Sequence, residues 1–410
     1  MESGHLDAPR FFGILAVILL GAKVFGLLAR RIGQPAILGE LIAGIVLGRS
    51  ALGWVDPRLE GLHLLSELGV LILLFAIGLE TNLGQLLRVG GTSATVAAVG
   101  VALPFALGFV ACRLMGVAHL PALVVSASLT ATSVGITARV FAELGHLQEP
   151  EGRIVLGAAV LDDVLGLVIL TVVFGVVNGN TLSAASLART SGLAFGFLIA
   201  AIVLGTLLIP MVWKGIRKLD PAGASVLWAL LLALTLAWVA SACGSAPILG
   251  AFVAGLLLHG SEEAEGIERG ITDLGHLFVP IFFVCVGAAV DVRVFDPSQR
   301  ANWPTLAIGA TLIVAAILGK FASGYAPWWF KGRKAVIGVG MIPRGEVGLI
   351  FAEMGDRGKI FDSKLFGAVT LMVVVTTFLA PPVLRRLLVT RGPLPSGGDR
   401  EGIDELVTEI

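Results

Sequence analysis

Three ionisable residues stand inside apolar segments of the sequence. Asp162 and Asp163 are consecutive within residues 157–166, and Lys320 lies in the apolar stretch 317–321. An ionised side chain at the centre of a bilayer costs at least ~2.5–3.5 kcal/mol, so a residue of this kind indicates function. Two close carboxylates resist ionising together, and carboxylate oxygens suit hard cations. A group that holds either a proton or a cation is what ion exchange requires.

The positions of these residues predict their surroundings. Adjacent helical residues point about 100° apart, so one aspartate can face a water-filled cavity while the other faces a neighbouring helix. A lone ammonium is unstable in apolar surroundings, and we therefore expect Lys320 to pair with an aspartate. The alternatives are, first, a helix kink or a structural hydrogen-bonding pair for the aspartates and, second, a lysine that reaches the membrane surface. Lys320 falls at the middle of a predicted span, 303–330, which disfavours the second.

Polar and glycine-rich stretches interrupt two other apolar spans. The first contains Thr132 and Ser133, and the second contains Arg344 and Glu346 beside Pro343. Glycine and proline favour unwinding, and irregular backbone at membrane depth occurs only where it is buried in protein or lines a cavity. Two facing broken helices provide backbone groups that stabilise an ion. We expect Arg344 and Glu346 to neutralise each other or the opposite helix ends; the two hydroxyls could instead bond to their own helix.

The composition places the chain in a bilayer. Hydrophobic residues make up 56% and charged residues 14% of the 410 residues, and the mean hydropathy is +0.93. Soluble domains have roughly 25% charged residues. The net charge is zero, which offers no basic surface for nucleic acid. The three cysteines are expected to be apolar filler, neither a disulfide framework nor a zinc site, and the six histidines fall at span ends: Cys112, Cys243, Cys285; His5, His63, His119, His146, His259, His276.

The hydropathy pattern predicts an all-α integral membrane protein with thirteen transmembrane helices. The first is expected to be retained and not a signal peptide, because its basic pair follows the apolar run. Glu40 falls near the start of the second, where an acid suits the helix dipole. The predicted spans are 11–29, 36–54, 62–80, 86–112, 119–144, 150–177, 185–212, 222–242, 247–259, 268–290, 303–330, 334–355 and 363–389.

Short motifs recur in the two halves of the chain. Residues 37–39 reappear at 248–250, residues 141–145 at 351–355, and residues 67–69 at 273–275, at offsets of 211, 210 and 206. The order and spacing predict two six-helix repeats joined by the span 185–212. A single linking helix makes the repeats inverted, with two broken crossing helices at equivalent places. The alternative is chance similarity among helices rich in glycine, alanine and leucine.

The distribution of Lys and Arg predicts the orientation. Basic residues are more numerous at the span ends that share a side with the C-terminus. Because cytoplasmic loops carry this excess, we expect the N-terminus outside, the C-terminus in the cytoplasm, and a location in the cell inner membrane. The tail, 391–410, is expected to be disordered.

Four segments together resemble a known family. Residues 131–138, residues 156–167 around the aspartate pair, residues 317–320 and residues 343–349 look like those of bacterial sodium/proton antiporters. They are most similar to the NapA-type members of the second monovalent cation:proton antiporter family. The likeness runs from about residue 34 to 382.

This resemblance implies an architecture of two domains. A dimerisation domain would comprise residues 1–85 and 221–300, a core ion-binding domain residues 86–180 and 301–390, and a linker helix residues 181–220. The implied protein is a homodimer in the lipid bilayer that moves its core domain like an elevator. It exchanges Na⁺ or Li⁺ for protons, electrogenically and without a cofactor, and it is not an enzyme.

The resemblance also implies a role for each site residue. Asp163 would be the principal ligand of a transient Na⁺, with Thr132 beside it and Ser133 in the same break. Asp162 would form a salt bridge with Lys320 that opens when sodium binds, and Lys320 would carry the proton. Glu346 and Arg344 would stabilise the crossing of the broken helices: the resemblance implies this for Glu346, and the chemistry of the second break implies it for Arg344.

Three other functions remain as alternatives. A K⁺/H⁺ antiporter and a Na⁺-coupled symporter would use the same fold. An intramembrane aspartyl hydrolase also needs two membrane carboxylates, but it takes them from separate helices, whereas Asp162 and Asp163 are neighbours on one helix.

Overall fold

The computed structural model describes residues 8–177, 184–219, 225–261, 263–290, 292–344, 348, 355 and 360–389. Within these ranges the regular structure is helical and no strand occurs. The prediction of an all-α fold is confirmed. The predicted tail and Glu346 lie outside the described residues.

The α-helices are numbered here in chain order. They are α1 Ala8–Arg31, α2 Ala36–Leu47, α3 Glu60–Glu80, α4 Leu83–Arg88, α5 Gly90–Leu114, α6 His119–Ser128, α7 Val134–Glu143, α8 Pro150–Val177, α9 Ala184–Leu219, α10 Ser225–Ala242, α11 Pro247–Leu258, α12 Ala264–Ala288, α13 Trp303–Ser323, α14 Lys334–Gly340 and α15 Ser363–Val389. Two short 3₁₀ helices precede α13, at Val292–Phe295 and Arg300–Asn302.

Several predicted spans differ from the helices observed. The span 36–54 is helical only to Leu47, because Gly48 adopts an extended conformation that ends the helix. The span 86–112 is preceded by the separate short helix α4, whose first turn is capped by the Asn82 side chain accepting from Gln85 N at 3.0 Å. The span 303–330 ends at Ser323, since the following segment is punctuated by glycine and proline.

Eight helices in the described part of the chain are long and apolar enough to cross a membrane. Shorter apolar helices add to them, among them α2, α6 and α11. A membrane-spanning protein follows from this pattern. The number thirteen stays a prediction, because several crossings are built from short or interrupted helices.

Equivalent helices recur in the two halves. The bounds of α11 equal those of α2 shifted by 211 residues, and α8 and α15 begin 213 residues apart. The pairs α3 and α12, and α5 and α13, lie at similar separations. The repeats predicted from the short motifs are therefore present in the fold.

The two halves run in opposite directions through the structure. Gly69 of α3 faces Phe278 of α12, whereas Gly275 of α12 faces Ile72 of α3. Residue numbers therefore increase along α3 in the direction in which they decrease along α12. On α5 and α13, Gly319 packs against Pro104 while Gly100 lies near Lys320 and Ser323. Equivalent helices thus pack antiparallel, which is the relation expected for inverted repeats.

Glycines bring two helix crossings into backbone contact. Gly44 of α2 meets Gly287 of α12, and Gly255 of α11 meets Gly78 of α3. A Cβ on any of these four glycines would collide with a carbonyl oxygen or backbone atom of the opposite helix. Small residues allow this approach in membrane proteins, and the same contact is made twice, each time between a helix of one repeat and a helix of the other.

The packing separates the helices into two groups. The scaffold group contains α1–α3 and α10–α12, and the site group contains α5–α8 and α13–α15. Helix α9 packs against α8, α10 and α11. Contacts between the groups are fewer and involve α7 with α2 and α3.

Candidate ion-binding site

The first helix break separates α6 from α7. Residues 129–133 leave the helical path, and Thr130, Thr132 and Ser133 are all buried. Thr132 has its backbone N–H directed away from its own helix, where it donates to Asp162 Oδ2 at 2.7 Å. The unwinding predicted for this stretch therefore supplies a backbone donor to a carboxylate.

The second break follows α14 at residues 341–344 and bonds directly to the first. Ser133 N donates to Pro343 O at 2.9 Å, and Thr137 Oγ1 donates to Gly340 O at 2.8 Å. Thr132 Oγ1 also reaches Met341 O at 3.3 Å. Each interruption satisfies backbone groups of the other, which removes the cost of leaving them unbonded at membrane depth.

Arg344 fastens the second break to the first. Its side chain is fully buried, and Nη1 donates to Ala131 O at 2.6 Å. Its own carbonyl accepts from Thr377 Oγ1 on α15. Nε and Nη2 have no hydrogen-bond partner among the described residues. The predicted pairing with Glu346 lies outside those residues, whereas the bond to a carbonyl at the opposite break agrees with the second option, neutralisation of a helix end.

Asp162 and Lys320 form a fully buried ion pair. Lys320 Nζ lies 3.1 Å from both Oδ1 and Oδ2 of Asp162, and both side chains are 0% exposed. With the Thr132 amide, Asp162 accepts three hydrogen bonds. Charge-assisted bonds of this kind are strong, and they compensate part of the large cost of removing two charges from water.

Asp163 adjoins this pair on α8. It is buried, with 8% of its surface exposed, whereas Asp162 has none. Consecutive residues on a helix point about 100° apart, so Asp163 meets different surroundings from Asp162. The structure thus brings five predicted residues into one region through direct bonds or adjacency: Asp162, Asp163, Lys320, Thr132 and Ser133.

The position of Lys320 along its helix was predicted wrongly. Because α13 ends at Ser323, Lys320 belongs to the last turn and not to the middle. The Lys320 side chain is nevertheless fully buried. Side chains on a helix lean toward its N-terminus, and this direction brings the Lys320 ammonium to Asp162. The alternative in which the Lys320 side chain reaches the membrane surface is excluded because its ammonium is paired with Asp162, and not because Lys320 lies far from the end of the helix.

The oxygen-rich set could hold a monovalent cation. The site offers the Asp163 carboxylate, the Thr132 hydroxyl and a Ser133 Oγ that is buried and has no hydrogen-bond partner among the described residues. Oxygen ligands of this kind suit hard cations. Among the described residues no group of three or more His, Cys, Asp or Glu could hold a metal ion.

Sequence reasoning missed several contributors to this geometry. Thr137 joins the two breaks through a hydroxyl, and Gly100 packs beside the ammonium, where a Cβ would contact Lys320 Nζ at 3.4 Å. Thr137 stood inside the polar stretch and could have been included. Gly100 carries no local signal, because its importance depends on the packing of α5 against α13.

A polar network at the loops was also missed. Arg333, after α13, bonds to Glu151 Oε1 through its backbone N at 2.8 Å and contacts Glu149. Burial acts to lower the pKa of Arg333, but its bond to Glu151 and the charges of Glu151 and Glu149 raise that pKa above its usual value. The network ties the loop after α7 to the loop before α14.

Comparisons with known proteins agree with this architecture. A family model described as "Sodium/hydrogen exchanger, transmembrane" matches residues 15–390. The chain is 41% identical to the high-affinity Na⁺/H⁺ antiporter NhaS3 of Synechocystis sp., over 90% of this chain and 88% of that protein. It is 32% identical to the Na⁺/H⁺-K⁺ antiporter GerN of Bacillus cereus, over 92% and 95%.

A solved structure shows the same fold. The sodium proton antiporter MjNhaP1 from Methanocaldococcus jannaschii matches with a TM-score of 0.68 and 18% identity, covering 93% of this chain and 98% of that chain.

Proposed function

Since this chain belongs to the sodium/hydrogen exchanger family, we propose that it exchanges Na⁺ or Li⁺ for protons across the membrane. The observation that carries the proposal is the buried Asp162–Lys320 pair, bonded to the first helix break and adjacent to Asp163. A buried ion pair contributes little net stability, so its presence at the crossing of two broken helices fits an ionic function better than a structural one.

In the proposed mechanism, the cation and protons compete for one cluster. Asp163 and Thr132 coordinate the cation, with Ser133 Oγ as a further oxygen. The positive charge of the cation then replaces that of Lys320 near the acids, so the Asp162–Lys320 bond opens. An ammonium that has lost its partner in an apolar site releases its proton more readily. Arg344, together with Glu346, would hold the crossing in place.

The two helix groups support an elevator-type movement. The acids, the lysine and both breaks belong to the site group, whereas the scaffold group is held together by its own glycine contacts. We propose that the site group moves as the core domain and that the scaffold group forms the interface of a homodimer. The N-terminus would face outward in the cell inner membrane. Exchange would be electrogenic and would respond to an imposed membrane potential.

Potassium is the competing cation. The relative GerN is named a Na⁺/H⁺-K⁺ antiporter, and another relative, KhtU of Bacillus subtilis, 26% identical, is named a K⁺/H⁺ antiporter subunit. The oxygen ligands of the site would accept either ion. Parallel assays with Na⁺, Li⁺ and K⁺ decide between them.

The test uses the purified protein in proteoliposomes with an imposed pH gradient. Addition of Na⁺ alone should collapse the gradient in the wild type, and Asp163→Asn should abolish this response. Glu265→Gln is the matched control, because the Glu265 side chain is 87% exposed on α12, a helix of the scaffold group. Full activity of Asp163→Asn would refute the site assignment, and no response of the wild type to any of the three cations would refute exchange.

A further inference from the structure

A second buried acid lies where the scaffold group meets the site group. Glu40 of α2 is 6% exposed, and its Oε2 is buried without a hydrogen-bond partner among the described residues. The charged groups around it are Arg139 and Glu143 of α7 and Arg30 of α1. Helix α12 meets α2 through uncharged residues such as Val284 and Gly287. Glu40 takes no part in the Asp162–Lys320 pair.

Glu143 joins the two groups through the start of α2. One carboxylate oxygen, Oε2, accepts from Ala36 N at 2.8 Å, and the other, Oε1, accepts from Arg139 Nε at 2.9 Å. An acid at a helix N-terminus satisfies a free N–H and suits the helix dipole. The sequence suggested Glu40 for this place, but the structure gives it to Glu143 from the opposite group.

The positive charge near Glu40 and Glu143 is therefore too small to stabilise both acids in their ionised form. Arg139 is partly buried and already bonded to Glu143, whereas Arg30 is exposed and its charge is screened by water. A buried carboxylate with no donor loses hydration without compensation. A neutral carboxylic acid at Glu40 avoids this cost and also avoids repulsion from Glu143.

We propose that Glu40 is a second proton-binding site, and that its deprotonation loosens the contact between the scaffold group and the site group. An ionised Glu40 repels Glu143 and attracts Arg139 away from it. Both effects weaken the hold of Glu143 on Ala36 N. The proton on Glu40 thus stabilises the closed junction, and rising pH opens it.

Hydrogen exchange tests the junction without requiring transport. The full-length protein in lipid nanodiscs is compared at pH 6.5 and 8.5, with rates corrected for the intrinsic effect of pH. In the wild type, the segment around Ala36 should lose protection several-fold at the higher pH. Glu40→Gln, which resembles the neutral acid, should stay protected at both, Glu40→Asp should keep the pH response, and Glu265→Gln should behave as wild type.

Transport assays give a second readout, which rests on the proposed exchange. Glu40→Gln should lower the rate at alkaline pH several-fold while leaving the apparent KM for Na⁺ unchanged, because the cation ligands are not altered. The proposal is overturned if wild-type protection around Ala36 does not depend on pH, or if Glu40→Gln follows the wild-type pH dependence. A changed KM for Na⁺ would also overturn it, since Glu40 would then act on the ion site itself.

Discussion

The two repeats agree in their scaffold helices and differ in their site helices. Gly44 with Gly287, and Gly255 with Gly78, make the same contact twice. When α8 and α15 are aligned by their first residues, however, Asp162 and Asp163 correspond to Val375 and Thr376. Thr376 Oγ1 bonds only to carbonyls of its own helix in the described structure, Met372 O at 2.8 Å and Val373 O at 3.0 Å.

This difference shows which constraints are symmetrical. Close helix crossings depend on backbone shape, which both repeats share, so glycine is required in both. The proposed ion site needs one cluster of charge at the centre, and a second acid pair would only add desolvation cost. The two helix breaks also differ between the repeats. The first contributes Thr132 and Ser133, whereas the second contributes Pro343 and Arg344.

The largest effect is expected at the charged position of α8. Asp162→Asn leaves the Lys320 ammonium buried without its counter-charge, which should destabilise the protein by about 3–5 kcal/mol. On α15, Thr376 occupies the position equivalent to Asp163. Thr376→Val removes only a hydrogen bond within one helix and should cost about 1 kcal/mol or less. Thermal unfolding in detergent measures both.

A double variant separates pairing from packing. Asp162→Asn combined with Lys320→Met removes both charges and should recover much of the lost stability. Equal destabilisation by Thr376→Val and Asp162→Asn would contradict the asymmetry described above.

A smaller and symmetrical effect is expected at the glycine crossings. Gly44→Ala and Gly255→Ala each place a methyl group against an opposing carbonyl, of Val284 and Phe75 respectively. Overpacking of this kind costs about 1–3 kcal/mol. Gly266→Ala on α12 is the control, because nothing lies within 4 Å of a Cβ there. Unequal thermal shifts of Gly44→Ala and Gly255→Ala would show that the two crossings are not equivalent.

The smallest effect is expected in the loop after α2. Partial burial acts to raise the pKa of Asp56, but bonds from Arg49 and from Arg58 N, with both positive charges, hold that pKa below its usual value. Because the pKa of Asp56 is lower in the folded protein than its unfolded value of 3.8, the ionised carboxylate stabilises the folded protein at pH values above 3.8. This stability is lost as the pH falls through the pKa of Asp56 in the folded protein. Because the pair is exposed, Arg49→Ala should cost only about 0.2–0.5 kcal/mol at pH 7.

The pH dependence checks this assignment. The difference between Arg49→Ala and the wild type should shrink in unfolding measurements as pH falls below 3.8 and disappear once Asp56 is protonated in both proteins. A difference that persists unchanged in acid would indicate that Arg49 acts through packing and not through charge.

The sequence predicted the elements that depend on local pattern. The apolar spans, the repeats, the first break and the pairing of Lys320 with an acid all follow from residue type and spacing. The end of α13 was misplaced because the apolar character continues past Ser323 while glycine and proline stop the helix. The role of Glu143 at α2 could not be inferred, since it depends on α7 packing against a helix about 100 residues away in the chain.

The contact between Gly319 and Pro104 has a consequence for voltage. A Cβ on Gly319 would lie 2.7–2.8 Å from atoms of Pro104, so α5 and α13 approach each other closely at this point. A charge that crosses the membrane field gains or loses about 2.3 kcal/mol per 100 mV. If exchange is electrogenic as proposed, an electrical force on the Lys320 ammonium would act on α13 and, through this contact, on α5 as well.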